Sequence, residues 1–143
     1  MKNHIIHLFT VSLLLLSLSG CIDDDKENSI LFSKTWKRGV TDLNPSTNPL
    51  EDVLYAPVED CEKDDTYIFL SEGKLRINRG SEKCNEGEEE YIQKDYVYDE
   101  VQSTLIIDDT TYRIAEVSRN QIKLYLIVPY SITQGRPIVY LLQ

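Results

Sequence analysis

Thr66-Tyr67-Ile68-Phe69-Leu70-Ser71-Glu72-Gly73-Lys74-Leu75-Arg76-Ile77-Asn78-Arg79 is the stretch on which the fold is decided. Two runs rich in β-branched and aromatic residues flank Ser71-Glu72-Gly73, whose residue types supply turn geometry, so the stretch predicts strands at Thr66–Leu70 and Lys74–Arg79 joined as a hairpin. With Glu72-Gly73 as a two-residue turn, facing residues carry numbers that sum to 145. Outward from this hairpin the same pattern repeats at Thr35–Val40, Ile92–Tyr98, Thr104–Ile107, Thr111–Val117, Gln121–Val128 and Pro137–Leu142. Breaks fall at Asp108-Asp109-Thr110, at Ser118-Arg119-Asn120 and between Ser131 and Gly135. From Phe32 onward no stretch keeps the i, i+3, i+4, i+7 spacing of a helix over three turns. The expected fold is all-β, an antiparallel eight-stranded up-and-down barrel, which hides both sheet edges and is just wide enough to be filled or to hold one small ligand. An open sandwich is the competing architecture.

One segment breaks the rhythm. Thr41 to Asp64 contains Pro45, Pro49 and Pro57 and little periodicity, and a loop of that length in a small domain is either functional or mobile. Its apolar residues Leu50, Val53, Leu54 and Tyr55 suit a lid over one barrel end, or equally a short helix at Leu50–Tyr55 packed on exposed core.

The N-terminal part reads as targeting rather than fold. Lys2 provides a positive start, and Leu8 to Leu18 is an apolar run broken only by Thr10, Ser12 and Ser17. That run is too short for a membrane span, which needs about 20 apolar residues, but fits the core of a signal peptide. Leu18-Ser19-Gly20-Cys21 resembles the bacterial lipobox, which implies removal of residues 1–20 and a diacylglycerol on the Cys21 thiol. Ile22-Asp23-Asp24-Asp25-Lys26-Glu27-Asn28-Ser29 is acidic and aperiodic, so residues 21–30 read as a lipidated tether and 31–143 as the folded domain. The acidic cluster behind the cysteine also resembles the export signal of Bacteroidetes surface lipoproteins. An outer-membrane, cell-surface address held through lipidated Cys21 is the resulting expectation.

Composition narrows the chemistry. The chain has 143 residues, 41% hydrophobic and 27% charged, with a formal net charge of −9. Both histidines, His4 and His7, lie in the leader, so a cleaved chain has no imidazole for a Ser-His-Asp triad or a His-ligated metal. Strong acidity argues against nucleic acid as a partner. Asp60, Asp64, Asp65 and Glu116 are candidates for a glycosidase carboxylate pair, and Glu86-Gly87-Glu88-Glu89-Glu90 and Asp108-Asp109 for calcium; with 24 acidic residues, close carboxylates arise by chance. The expectation is no enzyme, no metal site and no cofactor.

Cys61 and Cys84 are left as a pair in an exported chain, where thiols oxidise. Their numbers sum to 145, which places them near one another beyond the hairpin without fixing the register. A disulfide there would stabilise by roughly 3–4 kcal/mol on the chain-entropy model. No C-x-x-C spacing supports a redox-active pair.

Trp36 within Ser33-Lys34-Thr35-Trp36-Lys37, Cys61 ahead of Asp64-Asp65-Thr66-Tyr67-Ile68-Phe69, Gly73, Gly80, Cys84, and the late Tyr112-Arg113-Ile114 and Ile122-Lys123-Leu124 runs together resemble the lipocalin-like lipoproteins of Bacteroidetes. The resemblance covers about residues 31–128. It implies a barrel with Trp36 closing its base and a small apolar ligand inside, although Lys34 stands where lipocalins carry a glycine. All nine tyrosines follow residue 50, and seven of them, Tyr91, Tyr96, Tyr98, Tyr112, Tyr125, Tyr130 and Tyr140, fall in the second half. If they faced outward, the domain would instead be a surface module binding glycan or protein. On Ile92–Tyr98 the alternation leaves their direction open.

Overall fold

The computed structural model describes residues 30–49 and 52–143. The expected leader at 1–20, Cys21 and nearly all of the expected acidic tether at 21–30 lie outside the described residues, as do Leu50 and Glu51. Eight strands form one sheet: β1 (Leu54–Tyr55), β2 (Thr66–Leu70), β3 (Lys74–Asn78), β4 (Tyr91–Asp99), β5 (Thr104–Ile107), β6 (Thr110–Val117), β7 (Ile122–Leu126) and β8 (Ile138–Leu142). Their spatial order is β1-β8-β7-β6-β5-β4-β3-β2, so β2 to β8 run as an antiparallel meander that curls into a half-barrel. Helix is confined to short turns, and none among the described residues is long and apolar enough to cross a membrane.

Each turn carries the residue types it needs. Leu70 pairs with Lys74, leaving Ser71-Glu72-Gly73 as a three-residue turn with Gly73 at φ 75°. That left-handed position suits glycine, and the Gly73 carbonyl accepts the Tyr96 N–H at 2.9 Å. Ile107 pairs with Thr110 around Asp108-Asp109, where Asp108 takes φ 49°, a region that aspartate tolerates better than most residues. Between β4 and β5, Asp99 Oδ1 accepts the Gln102 N–H at 2.9 Å, a side-chain bond that stabilises the turn.

Four expectations are corrected. The hairpin register sums to 144 rather than 145, as in Tyr67↔Ile77, because the turn takes three residues and not two. Thr35–Val40 is not a strand but two isolated bridges, Trp36↔Tyr67 and Arg38↔Leu142. Trp36 exchanges backbone hydrogen bonds with Tyr67 of β2, whereas Lys37 exchanges them with Gln143 and Gly39 donates to Leu141 of β8. A segment shared between two neighbours builds a full ladder with neither, yet it stitches the two ends of the curled sheet together.

The sheet is also not antiparallel throughout, because β1 pairs parallel with β8. The chain first runs against β8 at residues 37–39, reverses direction across residues 40–49, and returns along the same edge in the direction of β8. Leu54 N–H donates to Pro137 and Ala56 N–H to Val139, and the next carbonyl along β8, that of Leu141, accepts from Gly39 instead. Leu54–Tyr55 is accordingly strand rather than the end of a helix.

Alternation along the meander fills the interior with Phe69, Leu75, Ile77, Tyr96, Leu105, Ile122, Leu124 and Leu142, packed with Leu31 and Trp36. Trp36 is fully buried and its indole N–H donates to the Leu31 carbonyl at 3.0 Å. Val139 and Leu141 face the other way and are buried, with Ala56, Pro57 and Val58 lining the same patch. The segment expected as a lid thus lies largely along the outer wall of β7 and β8.

Candidate functional site

Inward side chains from most of the meander strands surround a cavity of about 310 Å³. The apolar half of its wall is built from Phe69, Leu75, Ile77, Ile92, Ile107, Leu124 and Leu142. Set into that wall are Arg38, Glu62, Tyr67, Arg79, Lys94, Tyr112 and Tyr140. A volume near 300 Å³ with apolar walls and a few converging polar groups has the form of a small-molecule site.

Local sequence explains the inward polar groups. Arg38 stands two residues after buried Trp36, and Arg79 two after buried Ile77, so the period of 2 sends both side chains inward. Arg38 donates from Nη2 to the Pro57 carbonyl at 3.1 Å and lies 5.4 Å from the centre of the Tyr140 ring. Its Nη1 is 3.7 Å from Glu62 Oε2, an ion pair too long for a hydrogen bond. Arg79 is held from behind, Nη1 donating to Asp65 Oδ2 at 2.6 Å and Nη2 pairing with Glu88 at 3.3 Å. Asp65 is itself fully buried and also accepts the Gly80 N–H at 2.8 Å.

Burial pushes the Tyr67 phenol up, opposed by the Arg38 guanidinium beside it. Burial likewise raises Tyr112, helped by Tyr140, whose ring meets it edge-on at 5.5 Å. Tyr96, edge-on to Phe69 at 5.1 Å, is pushed up to about 12 by burial and by Glu72, and its hydroxyl donates to the Leu70 carbonyl at 2.8 Å.

A disulfide joins Cys61 to Cys84, their Cα atoms 5.2 Å apart. It ties the turn Asp60–Glu62, which brings Glu62 to the cavity, to the connection between β3 and β4. That connection is pinned further where Asp64 Oδ2 accepts the Ser81 N–H at 2.7 Å and where Glu88 accepts the Cys84 N–H at 3.0 Å. Trp36 sits in the core beside Leu31, with the Lys34 ammonium 4.3 Å from its ring centre.

Of the acidic candidates, Asp60 and Asp64 border one surface pocket together with Lys63, to which Asp60 pairs at 2.5 Å, and Asp65 holds Arg79, whereas Glu116 lies apart on the outer wall, accepting from Thr47 and Gln121. Among the described residues no group of three or more His, Cys, Asp or Glu side chains is placed to hold a metal ion. Tyr96 belongs to the core and Tyr67, Tyr98, Tyr112 and Tyr140 pack against it, while Tyr55 and Tyr91 are exposed. On β4 the inward face is therefore the one carrying Ile92, Lys94, Tyr96 and Tyr98.

Sequence reasoning missed Arg38 and Arg79 as cavity residues, although the same alternation that buries Trp36 and Ile77 marks them. It also missed fully buried Lys123, for which a lysine between Ile122 and Leu124 gives no signal, since an outward lysine on a half-exposed strand is ordinary. Comparison with protein-family models, with curated proteins and with solved structures finds no match for this chain.

Proposed function

We propose that the chain is a lipid-anchored binding protein without enzymatic activity, whose curled barrel takes up a small apolar molecule. The observation that carries this reading is the cavity of about 310 Å³ inside the sheet, lined by apolar side chains on the strands and by polar groups set among them. The ordered rim around Cys61–Cys84 supports it, since a preformed mouth lowers the entropy lost on binding. The resemblance of Trp36, the cysteine pair and the late strands to lipocalin-like lipoproteins points the same way. The membrane partner would be reached through Cys21, behind the lipobox-like Leu18-Ser19-Gly20, with the outer membrane and the cell surface as the address suggested by Asp23-Asp24-Asp25.

Binding is tested with N-phenyl-1-naphthylamine, a neutral apolar probe whose fluorescence rises out of water. The wild-type chain should enhance it saturably, and Ile92→Phe together with Ile107→Phe should abolish the enhancement by filling the cavity. Overpacking of this kind costs about 1–3 kcal/mol, so the β-sheet circular dichroism should persist. Equal enhancement by the filled variant would remove the cavity from the proposal. Attachment is tested separately with Cys21→Ser, which should move the protein from the membrane fraction to the soluble one or leave it uncleaved. A cleaved variant that stays membrane-bound would refute the lipid anchor.

A further inference from the structure

We infer that the cavity selects a short amphiphile ending in a carboxylate, with the head group seated against Arg38 and Arg79 and the chain against the apolar wall. The inference rests on the binding reading above and deepens it by naming the chemistry of the ligand.

Two unsatisfied donors carry the argument. Arg38 Nε and Arg79 Nε are both buried and neither finds a hydrogen-bond acceptor among the described residues. Both arginines line the one cavity. A buried N–H of a charged group left unpaired costs about 1–3 kcal/mol or more, so two of them in one pocket are a marked departure from how buried polar groups are arranged. The Arg38 side chain is only 10% exposed, and besides the Ala56 and Pro57 carbonyls it meets Tyr67, the face of the Tyr140 ring and, at 3.7 Å, Glu62. A guanidinium offers five donors in a planar fork, and the planar acceptor that matches it is a carboxylate.

Three cations, Arg38, Arg79 and Lys94, line the cavity; Lys94 pairs with Asp108 at 3.0 Å and Arg79 with Asp65 and Glu88, so Arg38, with its 3.7 Å Glu62 pair, is the one least tightly held by a carboxylate. Asp65 and Glu88 hold Arg79 through Nη1 and Nη2 and so fix the direction of the fork, leaving Nε unpaired. Glu62, 3.7 Å from Arg38 and 28% exposed, is positioned to be displaced toward water when a ligand carboxylate arrives. Tyr67, kept protonated by burial and close to Arg38, adds a neutral donor at the same place.

Size sets the chain length. A volume of 310 Å³ holds about ten water-sized atoms at roughly 30 Å³ each, which matches an eight-carbon acid and not a long-chain lipid.

The test is calorimetric titration of the purified full chain with octanoate, octan-1-ol and octylamine, three ligands of one tail and different heads. Octanoate should bind at least tenfold more tightly than octanol, and octylamine more weakly than either. Arg38→Gln should weaken octanoate at least tenfold while leaving octanol within twofold, a split that a general loss of packing would not give. Tyr67→Phe provides a second variant that keeps the ring and removes the hydroxyl, with a loss of threefold or more for octanoate alone. Octanol binding as tightly as octanoate, or Arg38→Gln weakening both alike, overturns the head-group inference while leaving the apolar site standing. If no ligand of the three binds and the naphthylamine probe is also not taken up, the binding reading itself fails.

Discussion

Lys123 has no exposed side-chain surface, and its ammonium meets four acceptors: Asp42 Oδ2 at 2.8 Å, the Asn44 carbonyl at 2.6 Å, and Thr47 Oγ1 and Asn48 Oδ1 at 2.9 Å each. Gln121, also fully buried, donates to Asp42 and Glu116 and accepts the Leu43 N–H. A lysine sealed under a loop in this way makes the loop obligatory, because removing the acceptors leaves an uncompensated charge. Burial pushes the Asp42 carboxyl up, but Lys123, Tyr55, the Asn44 N–H and Gln121 together outweigh it and bring it from 3.8 to about 2. A folded-state value below the unfolded one contributes stability above about pH 4 that drains away as pH falls toward 2. Asp42→Asn should therefore cost about 3–5 kcal/mol in urea unfolding at pH 7 and flatten the acid dependence between pH 4 and 2. A loss below 1 kcal/mol would show the ion pair to be dispensable.

At the scale of elements, the disulfide joins two connections rather than two strands. Cys61 sits in the turn before β2 and Cys84 in the link between β3 and β4, a separation of 23 residues. Replacing both by alanine should lower the unfolding free energy by about 2–5 kcal/mol with the β-sheet spectrum retained, since no strand pairing depends on the bridge. Fully retained stability in the double variant would mean that Asp64, Asp65 and Glu88 alone order the rim. The elements also show what the sequence displays and what it conceals. The limits of β2 and β5 follow from residues on the strands themselves, where β-branched and aromatic runs meet Gly and Asp turns. The register of the β2–β3 hairpin does not, because Ser71-Glu72-Gly73 closes a two-residue or a three-residue turn with equal ease until Gly73 takes its left-handed φ. Two-residue β1 has no period to read, and its parallel partner is 84 positions away in the register Leu54↔Ile138.

For the whole molecule, the cavity is a property of volumes left over after packing. Alternation announces that Arg38 and Arg79 turn inward, but no local pattern states that the side chains around them leave 310 Å³ unfilled. The covering of the outer wall by residues 41–49 and 52–58 is similarly global, since it depends on Gln121, Lys123, Val139 and Leu141 all presenting outward faces to it. The stitch at residues 36–39 has a consequence for time. Every pairing from β2 to β8 joins neighbours along the chain, so closing each loop loses little entropy, whereas the stitch pairs Arg38 with Leu142 and Lys37 with Gln143 at the far end of the chain. Contacts of high separation form late, which places the meander in the folding transition state and the stitch after it. Gly39→Val, whose first added carbon would push the Gln143 amide off its bonds to the Thr41 carbonyl and Gln121, should then speed unfolding and leave the folding rate unchanged. Gly73→Ala, in the hairpin turn, should slow folding instead. Stopped-flow rates against denaturant separate the two, and the reverse assignment would mean that the ring of strands closes first and the sheet fills in behind it.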